Sequence, residues 1–350
     1  MIYPKVFIII LNWNGWEDTL ECLESLYQVD YPNYNIIVVD NGSENESLPK
    51  IKDYAKGIIQ VESDFFKYNN KNKPLKIIEY FKNDLKFTKD PQIEDIPSNQ
   101  KLILIKNDKN YGFAEGNNIA MRYIIKSLDY DYILLLNNDT VVDKSFLTEL
   151  VKNAETEENI GAVGPKVYYY DYNGRKDVIS FAGEKFNFYI SRGKRFATKE
   201  IDNGQRDLVD NTDIIEGCCM LLKKEAIEKA GIFDPVYFAY WEETDLCTRI
   251  KNEGFKLLYV PNACIWHKVG VSWDTYFSYF VIYHYLVRNR LIFMWKYASK
   301  FQKIIFACFF AFYLFFNIVL MLIKEDIYTS KQGLKAIKNG FNDFKSINEQ

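Results

Sequence analysis

The stretch Asp131-Tyr-Ile-Leu-Leu-Leu-Asn137-Asn138-Asp139-Thr-Val-Val-Asp143 ends an apolar run, Ile133 to Leu136, in two amides and an acid. The run predicts a buried strand, and a carboxylate at its C-terminal end sits where open α/β sheets bind ligands. Hard cations take oxygen ligands, and one carboxylate plus substrate phosphates is a usual way to hold Mg²⁺. Asp139 is therefore a candidate for gripping a metal–diphosphate. The competing reading is a polar Asn-Asn-Asp-Thr turn capping a helix that starts near Lys144. Asp40 ends a second apolar run before Asn41-Gly42-Ser43; it can hydrogen-bond a base or ribose, or serve as a turn-former ahead of Gly42. Glu242, Glu243 and Asp245 fall in the first turn of a predicted helix, where acids meet the helix dipole favourably. One of them, in a partly apolar wall begun by Phe238 to Trp241, suits a general base, because desolvation raises a carboxyl pKa towards neutrality. His267, after the last predicted strand, offers an imidazole to a metal or a phosphate.

These groups need a scaffold. Lys5 to Leu11 predicts a strand, Trp16 to Tyr27 a helix with Leu20, Leu23 and Tyr27 on one face, and Asn35 to Asp40 a second strand. Together they read as a βαβ unit with a right-handed crossover. Residues 47–100 are lysine- and asparagine-rich, with prolines at 49, 74, 91 and 97, and read as a partly helical insertion outside the core. Lys101 to Lys106 resumes the sheet, Asn110 to Asn118 leads into a helix through about Ser127, and 132–136 is the next strand. The result is an α/β, mostly parallel, doubly wound sheet with Asp40 and Asp139 on one edge. Short antiparallel strands are expected at 162–167 and 178–200. A strand Glu216 to Leu222, a helix Lys224 to Ala230, a helix Glu242 to Glu253 and a last strand Lys256 to Val260, stopped by Pro261, complete the pattern.

The 350 residues allow one large domain or two ordinary ones, and a net charge of −3 with mixed signs argues against a nucleic-acid surface. Six cysteines without regular spacing or CxxC form neither a disulfide framework nor a zinc site, which predicts reduced thiols and a cytosolic catalytic face. Met1 leads almost directly into a strand, so no signal peptide is expected. Aromatics make up 17% of the chain and crowd its C-terminal half, which fits contact with a membrane interface or a large aromatic core. Residues 276–300 mix aromatics with Arg288, Arg290, Lys296 and Lys300. Ile304 to Ile323 then carries no charge, and as a helix it would be roughly 30 Å long, enough to cross a bilayer or to lie in its interface. Lys296, Lys300 and Lys303 before it and Lys324 after it do not choose between these.

The chain resembles the family 2 glycosyltransferases, inverting enzymes of the GT-A fold, and more narrowly their rhamnosyltransferase-like branch. The resemblance runs from about Lys5 to Ser272 and more loosely through Lys300. It is carried by IIILNWNG (8–15), VVDNGS (38–43), NYGFAEGNN (110–118), LLLNNDT (134–140), VGPKV (163–167), EGCCMLLKKE (216–225), GIFDP (231–235), WEETDLCTRI (241–250) and YVPNACIWHKVGVS (259–272). It implies a GT-A domain over 1–272, then C-terminal membrane-associated helices with an apolar segment 304–323 and a polar tail. The implied activity moves a sugar from a UDP- or dTDP-linked nucleotide-diphospho-sugar to a hydroxyl of a glycan or polyprenyl-linked acceptor. It would need Mg²⁺ or Mn²⁺ and act at the cytoplasmic face of the cell membrane, in surface polysaccharide assembly; a homodimer stays open.

By the same resemblance Asp40 contacts the base, with Asn12, Asn117, Asn118 and Asn138 also on the donor. Asp139, the one acid left of the family's DXD motif, and His267 hold the metal. Glu243 is the base, standing where aspartate is usual, with Glu242 as its rival. Glu216, Gly217, Trp241 and Asp245 face the acceptor. Two other functions compete. A sugar-1-phosphate nucleotidyltransferase needs a glycine-rich, basic loop after the first strand, which Asn12-Trp-Asn-Gly15 does not offer. A non-catalytic membrane scaffold on a decayed transferase fold would explain the lost acids.

Overall fold

The computed structural model of the chain describes residues 3–85, 88, 90–269, 275–325 and 327–348. Its first half alternates strand and helix: β1 (Val6–Asn12), α1 (Trp16–Leu26), β2 (Tyr34–Asp40), α2 (Ser47–Ala55), β3 (Lys76–Phe81), α3 (Pro91–Asp95), β4 (Lys101–Lys106), α4 (Gly112–Ser127) and β5 (Tyr132–Asn137). Then come β6 (Thr140–Val142), α5 (Phe146–Ala154), β7 (Ile160–Tyr169), β8 (Ile179–Phe181), the hairpin β9 (Glu184–Asn187) and β10 (Arg192–Arg195), β11 (Asp210–Asn211) and β12 (Cys219–Lys223). The chain continues as α6 (Lys224–Ala230), α7 (Glu242–Asn252), β13 (Lys256–His267), α8 (Thr275–Tyr297), α9 (Lys300–Lys324) and α10 (Ile327–Asn348).

One large sheet runs in the order β11-β13-β7-β12-β5-β1-β2-β4-β3. Strands β5, β1, β2, β4 and β3 are mutually parallel, and β12 inserts antiparallel between β5 and β7. The apolar runs seen in the sequence arise because both faces are covered. On one face Ile8 and Ile10 pack with Leu20 and Leu23 of α1, Ile51 of α2 and Leu150 of α5. On the other, Phe7 and Ile9 pack with Ile119 and Tyr123 of α4 and Leu246 of α7. This is the doubly wound arrangement expected, with the carboxyl ends of β1, β2 and β5 on one edge.

Four local expectations are corrected. Segment 47–100 is not outside the core: β3 is an edge strand of the parallel sheet, and Ile51, Tyr54, Leu75 and Ile78 are buried. The lysines and asparagines around it hid a short edge strand, only one of whose six residues, Ile78, is fully buried. Asp139 does not cap a helix at Lys144; it sits in a turn between β5 and β6, and α5 starts at Phe146 with Ser145 before it. Pro261 does not stop β13, because the register shifts between Val260 and Cys264, and a proline without an N–H is tolerated at such an irregularity. The strand expected from Glu216 begins only at Cys219, leaving Glu216 and Gly217 in the loop before it.

Within 324–350, expected as a polar tail, residues 327–348 form α10, which buries Ala336 and Ile337. Helix α8 is fastened to the preceding fold. The Arg288 guanidinium donates to the Val236 carbonyl (2.7 Å), and Asn289 Nδ2 donates to the carbonyls of Ala239 (2.9 Å) and Tyr240 (2.8 Å). Lys296 pairs with Asp234 and with Asp245. The expected boundary at 272/273 lies outside the described residues.

Candidate active site

The site is assembled at the carboxyl edge of the sheet. Because β6 pairs antiparallel with the end of β13, His267 stands opposite Thr140, next to the turn that carries Asp139. Asp139 Oδ1 lies 3.1 Å from His267 Nε2, and the Lys268 N–H donates to the Asp139 carbonyl at 3.0 Å. Burial alone would raise the Asp139 carboxyl, but His267, a backbone N–H and Lys268 outweigh it and hold the group below the usual carboxylate range. For His267 burial works towards the neutral ring; Asp139 overrides it and shifts the imidazole upward.

A third side enters from the loop before β12. Ligand atoms of Glu216, Cys218 and His267 lie within 4.8 Å of one another, and His267 Nδ1 is buried without a partner. Burial pushes the Cys218 thiol well up, so it stays protonated and is a reluctant ligand beside Asp139, Glu216 and the imidazole. Those three give the oxygen-rich, hard donor set that suits Mg²⁺ or Mn²⁺.

Opposite this group, α7 begins with Glu242 and Glu243. The two residues ahead of it, Tyr240 (φ 67°) and Trp241 (φ 77°), both occupy the left-handed region, which is uncommon for bulky side chains. Two such residues in succession store strain of about 1–3 kcal/mol each, and surrounding contacts must hold them. Asn289 supplies two of these contacts, and the Phe113 N–H donates to the Phe238 carbonyl at 2.7 Å. A Cβ at Gly112 would lie 2.5 Å from that carbonyl, so glycine is required there, with φ 79° besides. Burial raises both glutamates. Glu242 is driven up further, by burial and then by Glu243, whereas hydrogen bonds and Arg195 draw Glu243 back. Glu242 Oε2 is buried without a hydrogen-bond partner, so we read Glu242 as the more readily protonated of the two.

Arg195, on β10, binds Glu216 at 2.9 Å and Glu184 at 3.2 Å. Burial, followed by the charges of Glu243 and Glu216, lifts the Glu184 carboxyl to about 7 despite its arginine partner. Neither Arg195 nor Glu184 is prominent in the sequence. An Arg-Gly-Lys-Arg strand in a polar, alternating segment looks like any solvated hairpin, and only the hairpin's docking shows its role.

The donor-side candidates divide. Asp40 pairs in register with Asn12, and its carboxylate accepts from Asn12 Nδ2 (2.8 Å) and the Ser43 N–H (3.2 Å). Asn12 is fully buried, with its oxygen taken by Thr19, so it orients Asp40 instead of meeting a ligand. Asn138 donates to the Gly15 carbonyl and Thr19 Oγ1, both at 3.1 Å, and pins the loop after β1. Asn117 and Asn118 are also buried: Asn117 donates to the Phe113 carbonyl and Asn118 to the Phe233 carbonyl, both at 2.9 Å. Asn118 is thus a tie between α4 and the loop before α7, not a donor contact.

The acceptor-side candidates divide too. Glu216 and Gly217 lie beside the site, and a Cβ on Gly217 would stand 3.7 Å from Glu243 Cβ. Asp245 is fully buried and held by Arg249 (2.8 Å), Tyr297 (2.8 Å) and Lys296 (3.2 Å), so no acceptor reaches it. Trp241 packs edge-on against Phe186 and near Phe293, joining α7 to α8. A cavity of about 450 Å³ lined by Lys5, Tyr31, Asn35 and Lys101 opens at the opposite end of the strands, away from these carboxylates.

The model of the family described as "Glycosyltransferase like family 2" matches residues 90–279, more than half of the chain, and that of "Glycosyl transferase family 2" matches 7–77. The rhamnosyltransferase WbbL of Escherichia coli K12 is 27% identical over 200 residues, 52% of this chain and 72% of the relative. The low-salt glycan biosynthesis hexosyltransferase Agl10 of Haloferax volcanii is 23% identical over 164 residues, 46% of this chain and 50% of Agl10. Among solved structures, the mannosyltransferase PcManGT of Pyrobaculum calidifontis, in complex with GDP-Man and Mn²⁺, superposes with a TM-score of 0.54 at 15% identity, over 96% of this chain and 74% of that one. TarS 1–349 of S. aureus in complex with UDP-GlcNAc gives 0.53 at 12% identity, over 97% and 81%. These neighbours share the GT-A fold.

Proposed function

The chain belongs to the glycosyltransferase-like family 2, and from that premise we propose that it transfers a sugar, with inversion, from a UDP- or dTDP-linked donor to a hydroxyl of a glycan or polyprenyl-linked acceptor. The observation that carries this is the convergence, on one sheet edge, of a hard-cation donor set around Asp139 and His267 with the two glutamates that open α7. A divalent cation bound there would neutralise charge on the departing nucleoside diphosphate. Asp139, His267 and Glu216 would hold it.

The remaining steps belong to the chain's own groups. Asp40, almost wholly buried and held by Asn12 and Ser43, would reach the base or ribose only through the carboxylate lone pairs these leave free. Asn138 keeps the loop after β1 in place beneath the donor. Glu243 Oε takes the proton of the acceptor hydroxyl as that oxygen attacks C1 from the face opposite the leaving group. Glu242, buried beside it and raised more strongly, is the partner that stays protonated while Glu243 is the base. Arg195 holds Glu216 and tempers the crowding of carboxylates on the acceptor side. The membrane reading comes from the apolar helix α9. The nucleotidyltransferase and the inert scaffold are not favoured, since the relatives named above are a rhamnosyltransferase and a hexosyltransferase.

The test is transfer from a panel of UDP-, dTDP- and GDP-sugars to a polyprenyl-diphosphate-linked acceptor with Mg²⁺ or Mn²⁺, with product anomers read by NMR. One donor should be used, with inverted configuration. Retention, or turnover unaffected by chelation, would contradict the proposal.

A further inference from the structure

Helix α9 is a strongly apolar segment within Lys300–Ile323, with a mean hydropathy of 2.5, yet only 22% of its most apolar 18 residues are buried. Its inner face, Phe306, Phe310 and Leu314, packs with Val287, Phe293 and Met294 of α8 and Ile337 of α10. Its outer face carries an exposed line at heptad spacing: Phe301 (64%), Cys308, Phe315 (66%) and Leu322 (56%). Residues seven apart project from nearly the same side of a helix.

Helix α10 decides how this face can meet lipid. Ser330 Oγ donates to the Met321 carbonyl at 3.3 Å, and a Cβ on Gly333 would lie 2.4 Å from Met321 Sδ. Further along, the rings of Phe341 and Phe310 are 6.4 Å apart. As α10 advances from 330 to 341 it therefore passes from 321 back to 310, antiparallel and alongside α9. Its buried face holds Ser330, Gly333, Ala336, Ile337 and Gly340, and its exposed face carries Lys331, Lys335 and Lys338. An α9 that crossed a bilayer would drag these three lysines into hydrocarbon, where ammonium groups are strongly disfavoured.

We propose that α9 lies in the plane of an anionic bilayer surface, its Phe301–Leu322 line sunk into the acyl boundary and the α10 lysines among the headgroups. The inference rests on the reading that the enzyme works at a membrane, and it settles the geometry of that contact. A basic polar face beside an apolar face is the pattern of an in-plane amphipathic element. Trp295 (57% exposed) and Tyr328 (59% exposed) flank the two ends of α9, where interfacial aromatics belong. Since α8 is bonded to the carbonyls of Val236, Ala239 and Tyr240, the plane of α9 is fixed relative to Glu242 and Glu243. The acceptor side is thereby set at headgroup level, where a lipid-linked sugar is presented.

The full-length chain is reconstituted with vesicles of phosphatidylglycerol and phosphatidylcholine, or of phosphatidylcholine alone. Nitroxides are placed at Cys308 and, in a C308S background, at F301C and L322C, all exposed positions. In-plane docking predicts one common immersion depth for the three labels. It also predicts flotation that falls at least tenfold without phosphatidylglycerol and in the K331E/K335E/K338E variant. A depth profile with Cys308 deep and the ends shallow would establish a span and overturn the inference while leaving membrane action intact. Equal flotation of the triple variant on anionic vesicles would overturn the headgroup contact. Failure to float with either vesicle would overturn both this inference and the membrane reading.

Discussion

Asp139 Oδ1 and His267 Nε2 stand 3.1 Å apart at the carboxyl edge of the sheet, brought together by the pairing of β6 with the end of β13. The strand that delivers His267 runs through Pro261 by shifting register, so the contact depends on an irregularity and not on regular pairing alone. Each partner favours the charged form of the other, which keeps the carboxylate ionised and ready for a cation.

Glu243→Gln should retain nucleotide-sugar binding and lose transfer by roughly 10²–10⁴-fold, the usual worth of a general base. Glu242→Gln, which keeps the size and polarity of a side chain that is not the base, should lose far less. Since burial raises the Glu243 carboxyl, transfer by the parent should fall as pH drops through that raised value. Steady-state kinetics across pH for the three proteins checks this, and a larger defect in Glu242→Gln would reverse the assignment.

Glu184 makes a stability prediction. Its carboxyl titrates near 7 in the fold against an ordinary 4.5, so between those values the folded state binds more protons than the unfolded state. Stability from this group is fully present below about 4.5 and is lost as pH rises through about 7. Glu184→Gln removes the group and should gain Tm relative to the parent on going from pH 5 to pH 8. A difference in Tm that stays constant with pH would contradict this.

Asn289→Ala should lower kcat although the residue lies on α8, outside the glutamate helix. It frees the Ala239 and Tyr240 carbonyls, which hold the left-handed turn ahead of Glu242, at a net cost of about 0.5–1.5 kcal/mol per hydrogen bond. Donor affinity, measured by calorimetry, should be nearly unchanged because the Asp139 edge is untouched. A variant with parental kcat would show that the turn needs no such support.

The parallel half of the fold was legible because its strands are buried on both faces and read as apolar runs broken by turn residues. Asp139 and His267 stood out as abrupt polar groups at the ends of strands, and Glu243 as one of three acids crowded into the first turn of a helix behind an aromatic run. What stayed hidden depends on distant partners. Strand β3 is a short edge strand with a single fully buried residue, α10 becomes a packed helix only against α8 and α9, and Pro261 looks like a stop until its register shift is seen. Arg195 and Asn289 carry no local signature, since their importance lies in which carboxylate or carbonyl the fold brings to them. Conversely Asp245 and Asn118, chosen for their motif positions, proved to be buried ties.

The most direct test of the account is thermal stabilisation by UDP, dTDP or GDP, with and without Mn²⁺, in the parent and in Asp139→Asn. For the parent, one nucleotide at a hundredfold excess over its Kd should stabilise the fold by about 2.7 kcal/mol, with most of that requiring the cation. Asp139→Asn should unfold at a similar temperature without ligand and lose the cation-dependent part. A parent that responds to no nucleotide, or an Asp139→Asn variant that keeps the full Mn²⁺-dependent shift, would contradict the claim that this edge holds a metal–diphosphate.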